Sequence, residues 1–295
     1  MLFDEVAIHP ECVCDELVLE ALRHRFGWSQ GRVVCAVPAD WTQRVRQLAN
    51  TLPDGLTKSR IKDIGSRLPL VAPHSSYPKQ SSWREAVTEL HQRHPFDGVI
   101  LREPPIEPGW YSPERIDDYL DTSEERIGHY ELTCQNPPDI VKALHGFLHV
   151  NKRLVLVNAY QWFFTTPRNT ALFRTMMKTW AELGGVQFRV IRSRRKDFAR
   201  WDAECERLAA LLREIHFKGQ FSFIAVDDEA DRLHERYLIG SICGLELGYG
   251  LEISGKPQTW KLLRQSSHLS LKETYLDRDI RDAYPAHETW NFSSR

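Results

Sequence analysis

A chain of 295 residues that is 42% hydrophobic and 27% charged has ample material for a core, which excludes wholesale disorder and leaves two packed units or one large α/β domain. A formal net charge of −1 excludes a protein drawn to phosphate by its global field, and any nucleic-acid or membrane contact must rest on a local patch. The six cysteines (Cys12, Cys14, Cys35, Cys134, Cys205, Cys243) are scattered without a C-x-x-C pair, which argues for reduced thiols and against a disulfide framework.

The opening MLFDEVAIHPECVCDE carries acids where a signal peptide has a basic region, and no stretch approaches ~18 apolar residues, so a cytoplasmic location is expected. His9, Cys12 and Cys14 lie close together, but no second ligand pair follows to complete a zinc site. Residues Pro10–Phe26 read as a helix, although Leu17, Leu19, Leu22 and Phe26 do not share one stripe. Arg32–Pro38 (RVVCAVP), Leu68–Ala72 (LPLVA) and Asp97–Leu101 (DGVIL) read as short buried strands, with helices at Trp41–Thr51 and Trp83–His94. Asp40 is the expected cap of the first helix and Ser81 or Ser82 of the second. Gly27–Arg32 (GWSQGR) is a turn without a phosphate-loop pattern. Residues 1–110 are therefore expected to form an α/β unit of unassigned type. Proline then concentrates between Arg102 and Pro138, and 111–138 reads as a rigid connector to a second domain over 139–295.

In that second domain Asp139–His149 suits a short helix. His145 and His149 share a face at metal spacing, yet no third ligand matches them, so no metal and no cofactor is expected. Arg153–Asn158 (RLVLVN) suits a buried strand, Asn169–Leu183 a helix, Val186–Ile191 (VQFRVI) a strand, Phe198–His216 a helix and Gln220–Val226 (QFSFIAV) a strand. Crossovers of this length imply parallel strands joined right-handedly, with a ligand-binding rim along their carboxyl ends. The polar Asp227–Arg232 is too short for another crossover helix, and Leu233–Ile239 is expected to return antiparallel to Gln220–Val226. Alternation then places His234 and Arg236 on one side of that strand, Glu235 and Tyr237 on the other.

The stretch LHERYLIGSICGLELGYGLE (Leu233–Glu252) resembles the H-x-K strand of the phospholipase D superfamily. It looks most like the phospholipase-D-like C-terminal domain of microtubule-interacting-and-transport proteins, with His234, Glu235, Arg236, Gly248, Gly250, Leu251 and Glu252 as matching residues. The resemblance covers roughly residues 150–295 and implies an α/β fold with a mixed, mostly parallel sheet of phospholipase-D-like type, preceded by the separate α/β unit. Active relatives use H-x-K-x4-D, one histidine attacking phosphorus and a second protonating the leaving oxygen. Here Arg236 replaces the lysine, Ser241 stands where the aspartate is expected, and no second H-x-[KR] followed by a suitable glycine motif appears. Arginine still suits phosphate through its planar fork, whereas loss of the aspartate leaves only Glu246 or Glu252 to orient the imidazole.

Three loops are expected to reach the same rim. Arg189–Arg200 brings Arg192, Arg194, Arg195 and Lys196 just past a strand end, a patch for nucleic acid. AYQWFFTTPRN brings Tyr160, Trp162, Phe163 and Phe164 with Arg168; these aromatics suit packing first, then base stacking or a lipid interface. The expected function is a degenerate phospholipase-D-like module binding a phosphate-bearing polymer, nucleic acid first, as a subunit of a larger assembly; a role in bacterial defence rests on analogy alone. The alternatives are a metal-independent phosphodiesterase or nuclease acting as a homodimer through His234, and an anionic-lipid-binding module. A protein partner or homodimer is expected, and membrane association is not.

Overall fold

The computed structural model describes residues 2–68, 70–71, 82–93, 95–103, 107–124, 127–132, 136–194, 198–228, 233–253, 257–285 and 287–293. The chain is α/β and divides into two units, Phe3–Gly128 and His129–Arg295.

The first unit is built on five parallel strands in the order β3-β2-β1-β4-β5: β1 (Asp4–Ile8), β2 (Arg32–Cys35), β3 (Leu70–Val71), β4 (Gly98–Ile100) and β5 (Trp110–Tyr111). β1, which periodicity did not single out, is the central strand. Its helices are α1 (Glu16–His24), α2 (Trp41–Thr51), α3 (Leu56–Arg67), α4 (Trp83–Arg93) and α5 (Ile116–Glu124). Strand β2 is buried throughout, as a strand covered by helices on both faces must be.

The expected Pro10–Phe26 helix is two elements, a 3-10 turn Pro10–Cys14 and then α1. Asp15 makes the break: its carboxylate accepts the Leu17 and Val18 amides at 3.0 and 3.5 Å, the bonding of an N-cap. Leu17, Leu19 and Leu22 fit no single stripe because Leu17 is left 48% exposed on α1, and Phe26 lies beyond the helix's end. Asp40 does not cap α2; its carboxylate holds Arg44 one turn on. Ser82 does cap α4, exchanging bonds with Glu85 in a capping box.

The 111–138 connector is corrected. β5 and α5 belong to the first unit, and β6 (His129–Leu132) pairs within the second unit's sheet. The physical cause is α5: fully buried Tyr119 donates its hydroxyl to Asp4 at 3.2 Å, and buried Arg32 binds Ser123 and the Leu120 carbonyl. Proline marked the segment's turns and not a boundary.

The second unit holds an eight-stranded sheet, order β13-β9-β8-β7-β10-β11-β12-β6. β7 (Arg153–Val157), β8 (Gln187–Ser193) and β9 (Gln220–Val226) are parallel, joined through α7 (Pro167–Glu182) and α8 (Trp201–Glu214). α6 (Pro137–Val150) precedes β7. β10 (Tyr237–Gly240), β11 (Gly244–Leu247) and β12 (Gln258–Leu262) run antiparallel out to β6. One sheet face carries Leu154, Leu156, Phe188, Phe221 and Phe223; there Phe188 packs edge-to-face on Trp180 of α7, and Phe223 stacks on Trp201 of α8. The other carries Val155, Val157, Ile191 and Ile224 against Tyr275 and Leu276, which follow α9 (Gln265–Lys272).

The expected neighbour of β10 is also corrected. It lies antiparallel to β7, with Tyr237 opposite Val157, and the flank of β9 is taken by β13 (His287–Ser293) along seven residue pairs. The strand starts at Tyr237 and not at Leu233, so residues 227–236 form the connection. That length easily crosses the ~14 Å of three strand spacings, since β8 and β7 lie between β9 and β10. Among the described residues no helix is long and apolar enough to cross a membrane.

Candidate functional site

The polar residues of the second unit gather at the carboxyl ends of β7 and β8. Extending the β10 ladder by one residue sets Arg236 opposite Asn158, and extending the β7 ladder sets Asn158 opposite Arg192. The Asn158 N–H to Ile191 O bond at 3.0 Å carries the second extension, and Leu247 N–H to Arg236 O at 2.7 Å continues the other flank of β10, against β11. Arg236, Asn158 and Arg192 therefore form one row on the helix-covered face, spaced by single strand separations of about 4.8 Å.

Arg236 is half-buried. Its guanidinium donates to the Gly248 carbonyl at 3.0 Å and lies 5.8 Å over the Tyr160 ring. Gly250 has φ +106°, and a Cβ there would lie 2.5 Å from Asn158 Nδ2 and 3.4 Å from Arg236 Cδ. Only glycine lets the chain close over these two side chains. Next to it, burial pushes the Glu252 carboxyl above the ordinary carboxylate range while the Arg236 charge pulls it back. His234 is exposed and precedes the strand.

Glu252 thus shares the Arg236 environment, but Glu246 does not, which corrects that candidate. Glu246 sits opposite Tyr237, whose hydroxyl is pushed up by burial and by Glu235 and Glu246. Period-two alternation puts Glu246 on the far face from Arg236.

The basic segment divides sharply. β8 runs on to Ser193, so Arg192 is a strand residue in line with Phe188 and Val190. It is 0% exposed, with its guanidinium 3.7 Å over the Trp162 ring. A side chain so enclosed cannot touch a polymer, and Arg192 is withdrawn from the phosphate-binding set. Its charge acts on Glu204, itself 5% exposed. The Glu204 carboxylate accepts the Phe163 amide at 2.6 Å; burial raises it, and the Phe163 and Phe164 amides, Arg207 and Arg192 draw it down. Arg194 is exposed at the end of β8, 3.9 Å from Asp227 and 5.1 Å over the Phe198 ring. Arg168 is exposed in the first turn of α7. Arg195 and Lys196 lie outside the described residues.

Of the aromatic loop, Trp162 and Phe163 are buried while Tyr160 is 45% exposed. Packing is the main use of that cluster, Tyr160 excepted. A cleft of about 290 Å³ opens beside it, lined by Trp162, Phe164, Thr165, Arg200, Glu204 and Arg207. A cleft of about 860 Å³ lies at the opposite rim where β7, β8 and β9 begin, among Gly184, Gly185 and Gly219.

Sequence reading missed the buried amides that support the rim. Asn158 donates to Gln161 at 3.0 Å and accepts the Tyr160 amide at 3.1 Å. Gln258 accepts the Tyr249 amide and donates to the Glu252 carbonyl, and Asn169 accepts the Ile253 amide. Together they fix the loop carrying Gly250 and Glu252. The available signal was a polar residue ending an apolar run, Asn158 after RLVLV. His145 and His149 do stack on α6, with centroids 6.3 Å apart, and no group of three or more metal-ligating side chains occurs among the described residues. Comparison with protein-family models, with curated proteins and with solved structures finds no match to this chain.

Proposed function

We propose that the second unit is a catalytically degenerate phospholipase-D-like module that binds a phosphate-bearing polymer, nucleic acid foremost, as one subunit of a larger assembly. The carrying observation is the position of Arg236 at the sheet's rim, two residues after exposed His234 and within the electrostatic reach of Glu252. Exposed Arg194 ends β8, and β7 alone separates β8 from β10. Two guanidinium groups borne by strands about 10 Å apart suit neighbouring phosphates of one polymer, and each is backed by an aromatic ring that steadies it.

The test is binding to DNA, RNA and anionic vesicles across a range of salt, with Arg194, Arg195 and Arg236 changed together to glutamine. Nucleic-acid affinity lost by an order of magnitude or more supports the reading; unaltered affinity removes it. A second reading, a metal-independent phosphodiesterase working as a homodimer, is favoured by the exposure of His234, which a nucleophile shared between two copies requires. It predicts cleavage in EDTA that disappears in His234→Ala, together with a dimeric mass. A monomer without activity eliminates it.

A further inference from the structure

The first unit's strand order contains a reversal. From β1 the chain steps to β2 and β3 on one side, then returns through α4 to place β4 on the other side of β1. At such a switch point the two connections leave in opposite directions and open a crevice outside the carboxyl ends of the adjacent strands. Here those ends are His9 after β1 and Arg102 after β4, tied by a 2.9 Å bond from the His9 amide to the Ile100 carbonyl.

Both side chains have unused donors. His9 is half-buried, its ring edge-on to Trp83 at 4.9 Å. Nδ1 accepts the Glu11 amide at 3.3 Å, so the neutral imidazole carries its proton on Nε2. Burial pulls its pKa below the ordinary imidazole value against the Glu11 and Glu103 carboxylates, which raise it, and Arg44 and Arg102 add to the fall. Among the described residues neither His9 Nε2 nor the exposed Arg102 guanidinium has a hydrogen bond or ion pair, whereas the flanking Arg44 and Arg84 are paired with Asp40 and Glu103. Arg102 also acts electrostatically on Cys12, Cys14 and Glu114.

We infer that the β1–β4 crevice binds one oxyanion, a phosphoryl or carboxylate group of a small metabolite, between His9 Nε2–H and the Arg102 guanidinium. A dinucleotide does not fit the same surroundings. The chain leaves β1 as His-Pro-Glu without a glycine-rich turn, and Asp15 already occupies the first amides of α1, where a pyrophosphate would sit.

The test is calorimetric titration of the full chain with inorganic phosphate, acetate, AMP and NAD, for the Arg194→Gln/Arg236→Gln variant, which lacks the second unit's proposed phosphate contacts, alone and combined with Arg102→Gln or with His9→Gln. The expected result is binding of phosphate, acetate or AMP that weakens at least about tenfold on adding Arg102→Gln and weakens on adding His9→Gln. Preference for phosphate and AMP assigns a phosphoryl ligand, preference for acetate a carboxylate. No binding of any probe at millimolar concentration, binding that survives Arg102→Gln, or NAD bound tenfold tighter than AMP would each overturn the inference.

Discussion

The carboxyl rims of the two sheets use cations differently. In the second unit the rim's arginines are built into the structure: Arg192 is enclosed beneath Trp162 and beside Glu204, and Arg236 is tied to the Gly248 carbonyl. In the first unit Arg102 is exposed with no such tie among the described residues. The lesson is that a guanidinium at a strand end is one of three things, a buried strut, a held contact or an open donor, and burial separates them where residue type cannot. Cleft volume does not separate them either, since a wide opening of about 860 Å³ lies at the other end of the second sheet.

Substitutions sharpen this contrast in order of size. Arg192→Ala should cost about 2–5 kcal/mol in urea unfolding, because it empties the enclosed space over the Trp162 ring and removes one of the two cations, with Arg207, that act on buried Glu204. A loss below ~1 kcal/mol would break the distinction between strut and open donor. Gly250→Ala should cost about 1–3 kcal/mol and displace Arg236, since it combines a positive φ with a 2.5 Å approach to Asn158. Arg236→Gln should cost only about 1 kcal/mol, one hydrogen bond to a carbonyl. Arg102→Gln and Arg194→Gln should stay within ~0.5 kcal/mol of wild type, as exposed positions do.

The smallest effect is a pH dependence shared by both units. Burial holds His9 and His268 below the ordinary imidazole range, and the His268 ring lies 2.9 Å from the Gly240 carbonyl. Both imidazoles resist a proton that the unfolded chain accepts near pH 6.5. Between the folded and unfolded values the unfolded state binds more protons, so stability should fall as pH drops below about 6.5. His268→Gln keeps a donor for Gly240 and should flatten that slope when urea midpoints are compared at neutral and mildly acidic pH.

The β-α-β-α-β succession of the second unit was legible because RLVLVN, VQFRVI and QFSFIAV are apolar runs separated by amphipathic helices. The strand order around it was not. Whether Tyr237–Gly240 joins β9 or β7 is decided by long-range pairing, and the short connection misled because the strand starts later than its apolar pattern suggests. β1 escaped because DEVAI opens on two acids, one of which, Asp4, is buried under Tyr119. β13, HETWNFS, escaped because it is a half-exposed flank strand mixing polar and aromatic residues. At the rim, the separation of Arg236 from Glu246 was not legible, because it depends on Glu246 pairing opposite Tyr237, and His234 precedes the strand it was expected to open. Nor was the burial of Arg192, since an arginine after VQFRVI reads as loop until Trp162 and Glu204 close over it.

The most direct test of the central claim, that Arg194 and Arg236 hold phosphates at the second unit's rim, is the salt dependence of binding to a short single-stranded DNA. Removing both in Arg194→Gln/Arg236→Gln should reduce the slope of log affinity against log salt by about 1.4, at ~0.7 per lost phosphate contact, without unfolding the protein. An unchanged slope and affinity in a folded double variant would contradict it.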